Sequence, residues 1–392
     1  MPRFADLDDE QRSIYQGAPP DGSILVVGPP GTGKTVMAFH RATYLRKLGQ
    51  SPSLIMFSSV LANYAGANNS HAKDIDVSTM HSWATRWFRR MGAGSPPMIA
   101  PHVHDWGAIA ASVQRVAAGG RAERANWGHL IVDEGQDFPP AMYGTLAMLL
   151  RLVWSDASAP ALSVFADENQ RLTEQNSTIA DIRQALALLG EKRVFELSRN
   201  YRNTKQIARF AAHYYCGLRS GIPRAPSREG PKPVVSFHRG QPAMLESIIE
   251  LIEEARDRNW DVGIVCPKDR TRKYIYSQLQ ERYASDDDVV VQSYSYKDES
   301  LKASDLKFDY SNTVTVLSRP SVKGLEFDAV VVVDPFLLAS AEGSGEQQFK
   351  MNMYVSCSRA REYLQLCFVS DPDMVRRHLP APAEALYEVL ER

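Results

Sequence analysis

The glycine-rich stretch from residue 28 to residue 35 constrains the fold of this chain more than any other segment. It reads Gly28-Pro29-Pro30-Gly31-Thr32-Gly33-Lys34-Thr35 and fits the spacing G-x-x-x-x-G-K-[ST]. The apolar run Ser23–Val27 before it predicts a buried strand, and the apolar spacing of Val36–Leu48 after it predicts a helix. The backbone N–H groups of such a turn and the positive end of the helix dipole favour a bound phosphate. Lys34 can reach the β- and γ-phosphates and the Thr35 hydroxyl can hold Mg²⁺, so the stretch predicts a nucleoside triphosphate site.

Short apolar runs alternate with helical segments along the rest of the chain. We predict strands at Leu54–Phe57, Leu130–Val132, Leu162–Phe165, Gly263–Val265, Val314–Leu317 and Ala329–Val333. Continuously apolar strands separated by helices are typical of parallel sheets covered on both faces. A chain of 392 residues can form two such domains, and the first α/β set ends near residues 195–204. We therefore predict an α/β protein with domains at 1–198 and 199–392.

The charge and cysteine content exclude several classes of protein. The net charge is −1, from 45 basic and 46 acidic residues, which excludes a globally basic nucleic-acid binder, so any such contact must come from a local groove. The four cysteines form no C-x-x-C pair, as expected in a reducing cytosol. No apolar run reaches membrane length and the N-terminus does not resemble a signal peptide. We expect a cytoplasmic protein without a membrane partner.

Two further apolar runs end in polar side chains that could complete the nucleotide site. The run before Asp133 and Glu134 predicts a strand whose carboxyl edge faces the nucleotide. Asp133 would then hold the Mg²⁺ shell with Thr35, and Glu134 would orient and deprotonate the attacking water. The segment from Val164 leads in the same way to Gln170, which could sense the γ-phosphate. Two neighbouring acids can also be an ordinary start of a loop, but the glycine-rich stretch upstream favours the functional interpretation.

Three polar blocks follow in the second half of the chain. They are Asn200-Tyr201-Arg202, Lys323-Gly324-Leu325-Glu326-Phe327 and Ser358-Arg359-Ala360-Arg361. An isolated arginine is usually a surface ion-pair partner. Arginines in polar blocks beside strands, downstream of a phosphate-binding loop, instead suggest groups that reach the γ-phosphate.

Taken in order, these blocks resemble the UvrD/Rep-like superfamily 1 helicases, from Gln11 to about Cys367. The resemblance implies two tandem RecA-like domains, each with a parallel sheet flanked by helices, and ATP with Mg²⁺ in the cleft between them. It implies an ATP-dependent DNA helicase or translocase that hydrolyses ATP in response to single-stranded or tailed DNA, with 3′→5′ polarity. RNA stays an alternative, because nothing in the sequence reads a 2′-hydroxyl.

The resemblance also implies roles for individual residues. Lys34, Glu134, Gln170, Arg202 and Arg359 would be the catalytic groups, with the two arginines at the γ-phosphate. Gln11 matches the glutamine that reads adenine, and Tyr201 the aromatic that stacks on it. Glu326 matches the acid near the ribose, and Gly324 lies close to the phosphates. Contacts with nucleic acid are implied for Phe57 and, in the T-x-H block, for Thr79 and His81.

The sequence departs from that family in ways that change the expected function. The family carries large insertions between the T-x-H and acidic blocks and between the N-Y-R and K-G-L-E-F blocks, and both intervals are short here, which predicts a minimal motor core. The run Arg171–Thr178 lacks the aromatic that stacks on bases in the family. Such stacking contributes about 1–3 kcal/mol per base. The alternative is therefore a helicase-like regulatory ATPase that senses nucleic acid and works with a nuclease or other effector, as in antiphage defence, without processive unwinding.

Three local patterns each leave two interpretations. Trp83, Trp87 and Phe88 form either one packed face of a helix, which we favour, or a replacement surface for base stacking. The arginines at 86, 89 and 90 are either a phosphate-contacting patch or a solvated face. The acidic run Asp286–Asp288 is either a solvated turn, which we favour, or a metal site.

Overall fold

The computed structural model describes most of the chain. The described residues are 6–57, 75–154, 159–167, 176–188, 191–217, 221–295, 298, 300–308, 312–338, 345–369 and 371–391. Gln170 and the segment Arg171–Gln175 fall outside them. The chain divides into two compact units, Met1–Ser198 with Arg219–Gly221, and Arg199–Leu218 with Ile222–Arg392.

The first unit is built on a six-stranded parallel sheet with the order β3-β2-β6-β7-β1-β8. A separate antiparallel hairpin pairs β4 with β5. The strands of this unit are β1 (Ile24–Val27), β2 (Pro52–Met56), β3 (Asp76–Thr79), β4 (Met98–Ala100), β5 (Val103–His104), β6 (His129–Val132), β7 (Ala161–Ala166) and β8 (Val194–Glu196). Its helices are α1 (Asp9–Gly17), α2 (Lys34–Lys47), α3 (Met80–Met91), α4 (Trp106–Val116), α5 (Ala122–Ala125), α6 (Pro140–Val153) and α7 (Ile179–Ala185).

Both faces of this sheet are covered, which explains why its strands are apolar throughout. Along β1, Ile24 and Val26 belong to one hydrophobic cluster and Leu25 and Val27 to another. Successive side chains of a strand point to opposite faces, so each cluster lies on its own side of the sheet. Helix α2 packs into the first cluster, and α3, α4 and α6 pack into the second.

The aromatic residues of α3 belong to the second cluster. Trp83, Trp87 and Phe88 are buried, the two indole rings stack at 5.1 Å, and Trp87 Nε1 donates to the carbonyl of Ala125 at 2.7 Å. The packed-face interpretation is therefore right, and the base-stacking one is wrong. On the opposite side of α3, the guanidinium of Arg86 donates to Asp76, so this arginine is held by an ion pair.

The second unit is built on a seven-stranded parallel sheet with the order β11-β12-β10-β13-β14-β9-β15. Its strands are β9 (Val234–Phe237), β10 (Val262–Cys266), β11 (Val290–Tyr294), β12 (Thr313–Ser318), β13 (Phe327–Val333), β14 (Ala360–Phe368) and β15 (Glu388–Glu391). Its helices are α8 (Lys205–Ala212), α9 (Gln241–Asp257), α10 (Asp269–Arg282), α11 (Glu346–Cys357) and α12 (Pro372–Arg376). The expected α/β fold with two parallel sheets flanked by helices is confirmed.

A close approach inside this sheet fixes the start of β13. A Cβ atom added to Gly263 on β10 would lie 2.3 Å from the ring of Phe327. Only glycine leaves room for that ring, so Phe327 is seated beside β10 and the residue before it, Glu326, is held at the amino edge of the sheet.

Three smaller features complete the description of the fold. Asp286 and Asp288 both accept hydrogen bonds from the guanidinium of Arg256. Among the described residues, no three or more histidine, cysteine, aspartate or glutamate side chains cluster in a way that could hold a metal ion. All the cysteines are free thiols. Within the described ranges, no helix is long and apolar enough to cross a membrane.

Candidate functional site

The glycine-rich stretch forms a tight loop between β1 and α2. Gly31 and Gly33 have φ angles of +79° and +84°, in the left-handed region that favours glycine, and α2 begins at Lys34. Gly28 is required for a different reason. A Cβ atom there would lie 2.7 Å from Thr32 Oγ1 and 3.0 Å from the carbonyl of Leu197, the residue that follows β8.

The ammonium group of Lys34 lies inside this loop. Its Nζ donates to the carbonyls of Gly28 at 2.6 Å and Pro29 at 3.0 Å, and it lies 3.6 Å from the carboxylate of Asp167. Asp167 directly follows β7, the neighbour of β1 in the sheet. The structure therefore brings the lysine and a buried carboxylate together at the carboxyl edge of the first sheet.

Thr35 and Asp133 form the part of the site that suits a divalent cation. The Thr35 hydroxyl donates to Asp133 Oδ2 at 2.8 Å. Asp133 Oδ1 is buried and has no hydrogen-bond partner among the described residues. Burial, followed by the charge of Glu134, raises the pKa of Asp133 to about 7. An unpartnered carboxylate oxygen beside a hydroxyl is a donor set that Mg²⁺ takes, so the residues present fit this ion.

Glu134 is held in an unusual backbone conformation. Its φ of +52° and ψ of +46° lie in the left-handed region, which non-glycine residues rarely adopt. Its Oε2 accepts a hydrogen bond from Gln136 Nε2 at 2.5 Å, and Gln136 Oε1 in turn accepts from the backbone N–H of Asp167 at 2.8 Å. The Gln136 amide thus joins the residues that follow β6 and β7.

Neither Gln136 nor Asp167 was assigned a role from the sequence. Both follow apolar strands, and that was the available signal, since residues at the carboxyl ends of neighbouring parallel strands meet at one edge. The sequence predicts this edge from the acidic pair and from the strand that leads to Gln170, but it assigns no role to Gln136 or Asp167.

Gln11 lies beside the loop, at the first turn of α1. It forms a capping box with Asp8, in which Gln11 N–H donates to Asp8 Oδ1 at 2.9 Å and Asp8 N–H donates to Gln11 Oε1 at 3.3 Å. A Cβ atom on Gly33 would lie 2.8 Å from Gln11 Nε2. The side-chain amide is therefore held against the phosphate-binding loop, and the absence of a side chain at Gly33 makes room for it.

The residues expected to contact nucleic acid lie at the same edge of the first sheet. Met56 at the end of β2 pairs with Thr79 at the end of β3, so Phe57 and Thr79 are neighbours in that edge. Phe57 is 45% exposed. His81 Nδ1 lies 2.9 Å from Nε2 of the buried His104 on β5, and sequence reasoning missed this partner.

The second unit brings its own polar blocks together at the amino edge of its sheet. Arg202 Nε donates to Glu326 Oε2 at 2.6 Å, although the two residues are 124 positions apart. Arg202 Nη1 also donates to the carbonyl of Ser358 at 3.4 Å. Burial alone would raise the pKa of Glu326, but the guanidinium groups of Arg202 and Arg361 lower it below its ordinary value.

Arg359 lies in the same cluster but is more deeply placed. Its side chain is 1% exposed, with Nε donating to the carbonyl of Val355 at 3.0 Å and Nη1 to that of Leu325 at 3.4 Å. Gly324, one residue before Leu325, has a left-handed φ of +80°. Tyr201 is 40% exposed. The three polar blocks of the second half are thus neighbours in space.

Comparisons with known proteins concern the first part of the chain and the fold. Residues 11–175 match an AAA domain family, AAA_19. No curated protein matches the chain. The DUF1998 helicase MrfA, solved bound to DNA, is similar over 98% of this chain, with 12% sequence identity and a TM-score of 0.51. This chain spans 52% of that structure.

A second solved structure is the C-terminal domain of a possible DNA helicase from a Lactobacillus. It is similar over 48% of this chain and 98% of its own length, with 20% identity and a TM-score of 0.34. The MrfA similarity shows the fold. The family match covers residues 11–175, which include the glycine-rich loop and the acidic block, and it agrees with the expected resemblance over that part of the chain.

Proposed function

We propose that this chain is an ATP-dependent DNA helicase or translocase of the UvrD-like type. The observation that carries the proposal is the pair Thr35–Asp133 beside Lys34 in the loop. One carboxylate oxygen of Asp133 is buried and has no hydrogen-bond partner in the part of the chain that the structure describes. A lysine, a hydroxyl and a carboxylate at one sheet edge are the groups that hold a triphosphate and its magnesium ion.

In the proposed mechanism, Lys34 and the backbone of the loop bind the phosphates, and Gln11 contacts the adenine. Thr35 and Asp133 would hold Mg²⁺, which neutralises charge on the β- and γ-phosphates when bound. Glu134 orients the attacking water and accepts its proton, and the Gln136 amide keeps the Glu134 carboxylate in place. Gln170 is proposed to sense the γ-phosphate, by the resemblance alone.

Arg202 and Arg359 are proposed to stabilise the charge that develops on the γ-phosphate. Their hydrogen bonds to Glu326 and to backbone carbonyls fix them in one cluster. A guanidinium held in place before reaction costs little reorganisation when charge develops. Tyr201 and Glu326 would contact the adenine and ribose, and Gly324 would lie near the phosphates.

Single-stranded or tailed DNA is the proposed nucleic-acid partner, and RNA is the alternative that the assay below tests. The DNA bound to MrfA supports a nucleic-acid partner for this fold. Phe57, Thr79 and His81 would contact the strand at the carboxyl edge of the first sheet.

A second candidate function is a regulatory ATPase that senses nucleic acid and works with a nuclease or other effector. The burial of Trp83, Trp87 and Phe88 favours it, since these rings do not replace a base-stacking surface. A regulatory ATPase of this kind would hydrolyse ATP without displacing a strand from a duplex.

One experiment tests both candidates. ATP hydrolysis is measured with single-stranded DNA, duplex DNA and RNA, and strand displacement is measured on a tailed duplex. Stimulation by single-stranded DNA together with displacement supports the helicase, and stimulation without displacement supports the regulatory ATPase. In either case Lys34→Ala should abolish hydrolysis, while Lys47→Ala, at the exposed end of α2, should not. Hydrolysis by Lys34→Ala at the original rate would contradict the proposed site.

A further inference from the structure

Asn203 directly follows the N-Y-R block, immediately before the cap of α8, and is 1% exposed. Its Nδ2 donates to the carbonyl of Ser358 at 3.2 Å and to that of Ala360 at 2.5 Å. These two carbonyls flank Arg359 on either side in the sequence. A single side-chain amide therefore donates hydrogen bonds to the backbone on both sides of that arginine.

The orientation of the Asn203 amide is itself fixed. Asn200 Nδ2 donates to Asn203 Oδ1 at 2.8 Å, which leaves Nδ2 of Asn203 facing the two carbonyls. The reversed amide would place an oxygen against two carbonyl oxygens and would remove both of these hydrogen bonds. Asn200 Oδ1 also accepts from the backbone N–H groups of Arg202 at 3.0 Å and Asn203 at 3.1 Å.

The backbone around Arg359 is consequently held at three successive carbonyls. Asn203 binds those of Ser358 and Ala360, and the N–H of Phe327 donates to the carbonyl of Arg359 at 3.1 Å. The same Asn200–Asn203 turn carries Arg202. The two arginines are therefore positioned by one buried pair of asparagines.

We infer that Asn203 is a positioning residue that sets the place of Arg359 relative to Arg202. This inference rests on the proposed function, in which both arginines stabilise charge on the γ-phosphate. Asn203 acts through Arg359 and does not itself touch the nucleotide. Asparagine suits the position because it offers two N–H donors in a buried place where two carbonyls converge.

The first test is Asn203→Asp, which keeps the shape of the side chain and removes both donors. Gln292→Glu is the matched control in the same unit, because Gln292 is also buried and its Nε2 donates to Lys307 O and Thr315 Oγ1, both at 2.9 Å. A displaced catalytic group can cost about 100-fold in rate, so we expect Asn203→Asp to lower kcat for ATP by about 10- to 100-fold with KM nearly unchanged. Gln292→Glu should leave kcat unchanged. Thermal unfolding of both variants separates loss of turnover from loss of folded protein.

The second test is a double-mutant cycle on kcat. In an Arg359→Ala background, adding Asn203→Asp should cause no further loss, because the positioned group is already absent. A full additional loss would overturn the inference. If Asn203→Asp does not fold, Asn203→Ser, which keeps one donor, should show a smaller loss of kcat that also disappears in the Arg359→Ala background.

The outcomes separate this inference from the proposed function. If the unmodified protein does not hydrolyse ATP, or if Arg359→Ala turns over normally, the proposed function is wrong and the inference falls with it. If Arg359→Ala is impaired while Asn203→Asp turns over like Gln292→Glu, the inference alone is overturned.

Discussion

Thr35 and Asp133 are 98 positions apart in the sequence, and the hydroxyl of one donates a 2.8 Å hydrogen bond to the carboxylate of the other. In the sheet, β7 lies between the strands that precede them, β1 and β6. Asp167 at the end of β7 is close to Lys34 and is joined to Gln136. Three neighbouring strand ends therefore supply the polar groups of one site.

Replacing Arg202 by alanine should lower ATP turnover far more than ATP affinity. Arginines that stabilise a transferring phosphoryl group contribute about 10³–10⁵ in kcat. The measurements are kcat at saturating ATP and single-stranded DNA, and nucleotide affinity by equilibrium titration. Arg209→Ala on the exposed side of α8 is the control. Equal turnover in the two variants would show that Arg202 does not act on the phosphate.

Replacing Phe57 by alanine should weaken binding of single-stranded DNA and leave ATP hydrolysis without DNA unchanged. A stacked base is worth about 1–3 kcal/mol, so the Kd should rise by about 5- to 150-fold. Leu152→Ala removes an even more exposed apolar side chain, on α6, and is the control. Identical DNA affinity in both variants would remove Phe57 from the proposed interface.

The stability of the protein should fall in acid partly because of His129. Burial, followed by the charge of Arg41, lowers the pKa of His129 to about 3. In the unfolded chain His129 takes up a proton near its ordinary pKa of 6.5, whereas in the folded protein it stays neutral down to about pH 3. The contribution of His129 to the free energy of unfolding is therefore complete above about pH 6.5 and is lost as the pH falls towards 3. Between these two pH values the free energy of unfolding falls by about 1.4 kcal/mol per pH unit because of this residue.

Urea unfolding at a series of pH values between these limits checks the prediction. His129→Gln removes the titrating group and should make the free energy of unfolding depend less steeply on pH. An unchanged slope in this variant would mean that other groups carry the acid sensitivity.

Replacing Gly28 by alanine should destabilise the protein through steric contact. The φ angle of Gly28 is not left-handed, so backbone strain is not the cause. The new Cβ would meet Thr32 Oγ1 at 2.7 Å and Leu197 Cβ at 3.0 Å. Overpacking of this kind costs about 1–3 kcal/mol. Gly144→Ala, in the open interior of α6, should instead stabilise the protein by about 0.5–1 kcal/mol. Chemical denaturation of both variants tests the contrast.

The sequence predicted the parallel strands and the phosphate-binding loop because those signals are local. Apolar runs bounded by turns mark strands to within a residue or two, as at β6 and β13. The buried face of α3 was also predictable, since Trp83 and Trp87 recur at helical spacing.

The partners of the site residues could not be predicted in the same way. The hydrogen-bond partners of three residues lie 23 to 157 positions away in the sequence. His104 contacts His81, Gln136 contacts Asp167 at the end of a neighbouring strand, and Asn203 contacts Ala360. Such contacts depend on which strands are adjacent in the sheet, and spacing along the chain carries no record of that order. Sequence reasoning therefore identified the charged groups but not the amides and rings that hold them.

The position of β1 between β7 and β8 has a consequence for how the first unit forms during synthesis. Its neighbours are β7 and β8, paired through Ile24 with Ser163 and through Leu25 with Val194. The strand that leads into the loop is made early, and it gains its second neighbour only after the ribosome has passed residue 196. Pairings over such sequence distances form slowly. The loop is therefore one of the last parts of the unit to reach its final surroundings in a nascent chain.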